Sequence, residues 1–386
     1  MQRSSPYRFL FVSAPFSGIE VFFRNLLKVL QWRTDIETTW EWIDYQPKEF
    51  IARLPIVAKN WSLKGGLVGR SRIRRLERAG RIFDAVLFNH LLPLLFLRDF
   101  QRRVPTVLSL DTTPTMIHGF DPWYVGKRSR FPSPMEIPKR LLVRQSYMAC
   151  RYILPWTNLV GESLQRNYGI PREKLKVLPP GIELSRWNPP ATTRKKRKGD
   201  PINVLFVGGE FLRKGGDLVL AASRKNELQE CTFHIVTHEP VGPTGPNVQV
   251  HADIGPNEDE LKRLYAEADI FVLPTKADFA PTNAVCEAMA MRLPIITTRV
   301  GGLDEVVRDG ESGFVVPPGN ADLLAERITT LVHNPAMRRQ FGDRGREIVE
   351  ERFNLTKTAG QIVTLLCAAA DGAHVHGRAT ARGERQ

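Results

Sequence analysis

Thr282, Asn283 and Ala284 sit where a short apolar run, residues 270–274, gives way to a helical segment rich in Ala, Met, Val and Glu, residues 283–291. The run suits a buried parallel strand, and residues 294–298 read as a second one after the helix. The loop between, residues 275–282, therefore stands at a strand's carboxyl end, where open α/β sheets bind ligands. Thr282 is a good N-cap, which leaves the N–H groups of Asn283 and Ala284 for an anion, and phosphate suits such a terminus. The chemistry this arrangement suggests is nucleotide binding.

The elements that must hold this loop repeat along the chain. Strand-like runs at residues 9–13, 85–88, 106–110, 152–154 and 176–178 alternate with helix-like ones at 20–30 and 138–149. Residues 185–201 combine Pro, Thr and a charge run, the composition of an exposed linker. The alternation resumes at 202–207, 232–236 and 247–251, with helices expected at 258–267 and 321–333. Such alternation implies parallel sheets covered by helices, in two α/β domains facing a cleft.

At 386 residues the chain is long enough for two domains. The four cysteines, Cys150, Cys231, Cys286 and Cys367, are far apart and form no C-x-x-C pair, so neither a disulfide framework nor a zinc site is expected. No signal peptide or membrane span is read, and a cytoplasmic protein is expected. Charge is uneven. Residues 1–200 hold 35 Lys+Arg against 16 Asp+Glu, a net of +19, and residues 201–386 hold 20 against 25, a net of −5, which together give the chain's +14. The densest basic runs are residues 70–81 and 194–198. In the first, Ile73 and Leu76 fall at helical spacing among arginines, so it reads either as a helix lying on anionic lipid or as a solvated surface helix. Nucleic acid is not expected, because no reading motif accompanies the charge.

The segment CEAMAMRLPIITT around Glu287, followed by VGGLDEVVRDGESGFVVPPGN, resembles glycosyltransferase family 4, the retaining, nucleotide-sugar-dependent enzymes of GT-B fold. FVGGEFLRKGGDLVLAAS at residues 206–223 and VLPPGIELSRWNP at 177–189 are similar to further segments of that family. The resemblance implies a basic acceptor-side domain at 1–184, a linker at 185–201 and a donor domain at 202–355. It also implies a crossover helix at 356–370 returning to the first domain, and residues 371–386 read as a disordered tail.

Site residues follow from the same resemblance. Lys214 matches the family's phosphate-contacting lysine, behind Gly208 and Gly209, where missing side chains let backbone approach a diphosphate. The family's arginine stands at the position of Gly209, and Arg213 is expected to supply that cation. Glu287 matches the glutamate that accepts hydrogen bonds from the ribose hydroxyls. Eight residues before it, where the family has another glutamate, stands Phe279; a one-residue insertion would give that role, contact with the donor sugar, to Asp278. In the first domain Ser17 and Gly18 match a turn near the phosphates, and Asp111 matches an acidic residue facing the cleft. His90 and His118 are read either as imidazoles able to reach the sugar or as ordinary loop histidines, and His234 and His238 as structural.

The expected reaction transfers a sugar from a nucleotide donor, with retention, to a glycan, lipid-linked or other small acceptor, without metal or cofactor, by a cytoplasmic protein either free or peripheral to an anionic inner membrane face. A sugar-nucleotide epimerase and a non-catalytic nucleotide-sugar-binding protein are the alternatives. Dehydrogenase, P-loop, serine-hydrolase and zincin motifs are absent from the sequence.

Overall fold

The computed structural model describes residues 5–14, 17–44, 57, 60–120, 123, 136–190, 200–279 and 281–383. The basic run at 194–198 lies outside them, as does most of the expected linker. The chain forms two compact units, residues 1–181 with 355–386, and residues 182–354.

Unit 1 runs β1 (Tyr7–Ser13), α1 (Ser17–Leu30), β2 (Ile36–Trp42), α2 (Trp61–Arg78), β3 (Ala85–Phe88), α3 (Arg98–Arg103), β4 (Thr106–Leu110), α4 (Pro114–His118), α5 (Glu136–Ala149), β5 (Tyr152–Pro155) and α6 (Asn158–Tyr168). Its five strands pair in parallel in the order β2-β1-β3-β4-β5. Strands β3 and β4 are buried at every residue, as expected of a parallel sheet covered on both faces. One face packs Leu10, Val12, Val86 and Phe88 against Val68, Val143 and Leu164; the other packs Phe9, Phe11 and Leu87 against Phe23, Leu26 and Ile362.

Unit 2 runs β6 (Asn203–Val207), α7 (Gly216–Ser223), β7 (Thr232–Val236), β8 (Val248–His251), α8 (Asp259–Glu267), β9 (Ile270–Leu273), α9 (Asn283–Ala290), β10 (Ile295–Thr298), β11 (Gly313–Val316), α10 (Ala321–His333) and α11 (Pro335–Arg352). Its six strands, also parallel, lie in the order β8-β7-β6-β9-β10-β11. Counted from β6 this is 3-2-1-4-5-6, the doubly wound order whose switch point falls between the first and fourth strands. Here those strands are β6 and β9.

The final helix, α12 (Leu355–Gly383), belongs to unit 1. Leu355, Ala359, Ile362, Val363, Leu366 and Ala370 form an apolar stripe at helical spacing, buried with α1 residues such as Phe22 and Phe23. The helix runs past residue 370 to Gly383, through the segment expected to be a disordered tail. At the start of that segment Asp371 accepts a hydrogen bond from the Tyr7 hydroxyl at 2.9 Å.

Three local expectations change. Residues 176–178 form no strand; they lie extended beside β5, with Lys176 and Leu178 donating to Ile153 and Pro155, before Pro179 and Pro180 remove further donors. The basic run at 70–81 is the end of α2, a longer helix capped by Asn60, and the turn that follows it. Its apolar residues serve the unit's own core: Ile73 is fully buried and Leu76 packs against the same cluster, so they are not offered to lipid. Finally, β2, an edge strand, has no counterpart in the sequence reading.

Candidate functional site

The loops leaving β6 and β9 carry the expected residues of unit 2, and side-chain contacts join them across the switch point. Lys214 Nζ lies 2.5 Å from Asp278 Oδ2. Arg213 reaches the same loop, donating from one terminal nitrogen to Ala277 O at 2.7 Å, with Asp278 Oδ1 at 3.6 Å. Its other side meets Glu210 in a two-pronged pair at 2.7 and 2.6 Å, which holds the Glu210 carboxyl below the ordinary carboxylate range. Arg213 is 8% exposed, so it is a buried strut between loops, and Lys214 is the more accessible cation. The two cations face two carboxylates, a locally balanced cluster that offsets their unfavourable placement near the α7 N-terminus.

Glycines set the backbone. A Cβ on Gly208 would come within 2.9 Å of Lys214 Cβ, whereas Gly209 has open space around it. Gly215 (φ +82°) lies against the Pro274 carbonyl, bringing the two loops into contact. Gly301 (φ +63°) presses on the Asp278 carbonyl in the same way, so the turn after β10 supports the Asp278 loop. Thr237, after β7, donates to Gly209 O at 3.4 Å, and the Glu239 carboxylate accepts from Phe211 N at 2.7 Å. These braces from β7 were not read in the sequence, since nothing local marks them.

Helix α9 begins as expected. Thr282 has extended backbone and caps it by accepting from Val285 N, which places Asn283 and Ala284 in the first turn. Glu287 follows on the same helix and is buried, 7% exposed among buried Val285, Cys286, Ala288 and Met289. Burial pushes its carboxyl up to about 7, against the pull of a hydrogen bond from Tyr265 and the charge of Arg186. A carboxylate kept at that burial marks a functional position more often than a structural one.

In unit 1 the expected residues also leave the carboxyl ends of strands. Ser17 and Gly18 open α1 after β1, and nothing lies within 4 Å of a Cβ built on Gly18. His90 follows β3, accepts from Leu92 N through Nδ1 at 3.2 Å, and is kept neutral by burial, its pKa lowered to about 4. Asp111 follows the neighbouring β4, and His118 ends α4. Asn89, missed in the sequence, joins the sheet's own switch point: fully buried, it accepts from Ala14 N at 3.1 Å and donates to Ser13 Oγ at 2.9 Å. His234 pairs with His251 at 3.2 Å on the adjacent strand, and His238 with the Ala252 carbonyl at 2.8 Å. Among the described residues no three His, Cys, Asp or Glu side chains gather as metal ligands.

Two parallel doubly wound units in one chain, the last helix returning to the first, define the GT-B class of α/β protein. Solved structures agree on that fold: sucrose-phosphate synthase from Thermosynechococcus elongatus superposes with a TM-score of 0.74 at 18% identity, covering 94% of this chain and 100% of that one. Anabaena HepE in complex with UDP-glucose gives 0.67 at 16% identity, covering 94% and 99%. The sequence matches the family models "Glycosyl transferases group 1" over residues 191–348 and "Glycosyltransferase Family 4" over residues 16–186. The chain belongs to this family. Among curated relatives, the MMP alpha-(1->4)-mannosyltransferase of Mycolicibacterium hassiacum is 30% identical over 208 residues, 52% of this chain and 49% of the relative. A capsular polysaccharide biosynthesis glycosyltransferase, CapM of Staphylococcus aureus, is 37% identical over 157 residues, 41% and 35% of the two chains. The chain spans about half the length, or less, of these two relatives.

Proposed function

We propose that the chain transfers a sugar from a nucleoside diphosphate donor, bound by unit 2, to a glycan or lipid-linked acceptor, with retention at the anomeric carbon. The observation that carries this reading is the meeting of Lys214, Arg213, Asp278 and the capped start of α9 at the β6/β9 switch point, with a buried carboxylate on α9. Breaking the sugar–phosphate bond leaves growing charge on the β-phosphate, and fixed cations with aimed N–H groups stabilise it without reorganising. Lys214 and the N–H groups of Asn283 and Ala284 are the groups placed for that work, and Arg213 holds the two loops at their separation. Glu287 suits the vicinal hydroxyls of a ribose, which a carboxylate accepts as a pair. The departing phosphate takes the acceptor's proton on the face it leaves, so the scheme needs no metal and no dedicated side-chain base.

Relatives support the donor class: HepE is described with UDP-glucose, and the Mycolicibacterium protein as a mannosyltransferase. The acceptor would meet unit 1, whose surface includes α5. That helix exposes Ile137 (74%) and Leu141 (54%), one turn apart, beside Lys139, Arg140 and Arg144, a pairing of apolar and basic groups suited to an anionic membrane face.

The test is acceptor-dependent release of nucleoside diphosphate from a panel of nucleotide sugars, with the product's anomeric configuration read by NMR. Release with retention, lost in Lys214→Ala and Glu287→Ala, supports the reading. Donor turnover to another sugar nucleotide without acceptor would point to an epimerase, and binding without turnover to a non-catalytic protein.

A further inference from the structure

Glu287 is buried on α9 beside Val285, Cys286, Ala288 and Met289, and two groups outside the donor loops act on it. The Tyr265 hydroxyl, on α8, stands 3.1 Å from Glu287 Oε2 and 3.2 Å from Ala284 O, so one proton is divided between the carboxylate and the helix backbone. Tyr265 is fully buried, its ring edge-on to Trp187 at 5.3 Å and stacked on Phe271 at 5.8 Å. Trp187 is pinned in turn, its carbonyl accepting from Arg346 at 2.8 Å, and the same guanidinium binds Ala290 O at the end of α9. Arg186, next to Trp187, is anchored on the Asn257 carbonyl and on Asp259 at 3.1 Å, while its buried Nε keeps a donor without a hydrogen-bond partner.

We propose that Tyr265 is the positioning residue for Glu287, its hydroxyl holding one oxygen of this buried carboxylate. This rests on the reading of Glu287 as the donor-binding carboxylate. A rotamer-locked phenol that donates to one carboxylate oxygen fixes its plane and leaves the other oxygen for a ligand. The titratable and charged groups acting on Glu287 are Tyr265 from α8, Arg186 from the segment before Trp187, and Cys286 beside it on α9. Burial raises both the phenol and the thiol, so they stay neutral and Arg186 is the only opposing charge among the three. The Tyr265 hydrogen bond favours the ionised carboxylate against burial.

The experiment uses the full chain, with Tyr265→Phe beside the wild type. The Glu287 carboxyl is followed by 13C NMR without ligand, and affinities for UDP, GDP and ADP are measured by calorimetry from pH 6 to 9. Expected is a wild-type midpoint near neutrality that rises in the variant. For the nucleotide that binds, affinity should fall about tenfold at pH 7, the scale of one hydrogen bond to a charged group, and recover towards wild type by pH 9. A misfolded variant loses affinity at every pH, so the recovery isolates the positioning role. A midpoint unmoved in the variant, or a loss of affinity equal at all pH values, would overturn the proposal. A Glu287 midpoint that rises in the variant, with a wild type that binds none of the three nucleotides, upholds the positioning and overturns the donor-site reading.

Discussion

Replacing Glu287 by Gln should make the protein more stable while removing its nucleotide site. In the folded chain the carboxyl holds its proton up to about pH 7, whereas in the unfolded chain it releases it near 4.5. Between these values the folded state binds more protons than the unfolded state, so stability falls as pH rises through the window and is level above it. At about 1.4 kcal/mol per pH unit, the interval from 4.5 to about 7 corresponds to about 3 kcal/mol. A Gln at this position still accepts from the Tyr265 hydroxyl but carries no charge, so Glu287→Gln should equal wild type near pH 4.5 and exceed it by up to about 3 kcal/mol at pH 8. The assay is urea unfolding across pH 4.5–8.5, with hydrogen exchange of α9 peptides reporting unit 2 separately from unit 1. A variant no more stable than wild type at pH 8, or a difference equal at both ends of the range, would refute the reasoning.

Further outcomes follow from the same geometry. Asp278→Asn frees Lys214 from its 2.5 Å partner and should tighten binding of a free nucleoside diphosphate by about tenfold while slowing transfer from the sugar donor, as checked by calorimetry and steady-state rates. Gly209→Arg enters open space, so urea unfolding should change by less than about 0.5 kcal/mol, and the added cation should strengthen diphosphate binding in a salt-dependent manner. Gly301→Ala combines φ +63° with a Cβ 2.0 Å from the Asp278 carbonyl; a loss of about 2 kcal/mol or more in urea unfolding is expected, with weaker donor binding. Ile137→Glu with Leu141→Glu should leave stability unchanged and reduce sedimentation with anionic vesicles at low salt, the neutral-vesicle signal staying flat.

The parts legible in the sequence are those fixed by local pattern. Runs such as IFVL and IITT are apolar throughout because a covered parallel strand buries both faces, and Thr282 announces the start of α9 by its chemistry alone. β2 was not legible, since IETTWEW mixes polar and aromatic residues as an edge strand can. Likewise, α2 showed its arginines but not its buried Gly66 and Gly69, which let the helix approach the segment at Pro93 and Phe96. At the site, the identities of Lys214, Asp278 and Glu287 could be proposed from spacing and resemblance. Their pairings could not, because Lys214 meets Asp278 across 64 residues and Glu287 meets Tyr265 across 22. The burial of Glu287 was the largest omission: an isolated helix with one glutamate gives no sign that the sheet will cover it.

The most direct test of the central claim is thermal unfolding of the wild type and Glu287→Ala with UDP, GDP, ADP and TDP and their common sugars. A ligand present at about a hundred times its dissociation constant adds about 2.7 kcal/mol to the folded state. The account predicts a rise in melting temperature with one base class, absent in the variant; no rise with any nucleotide, or an equal rise in the variant, would contradict it.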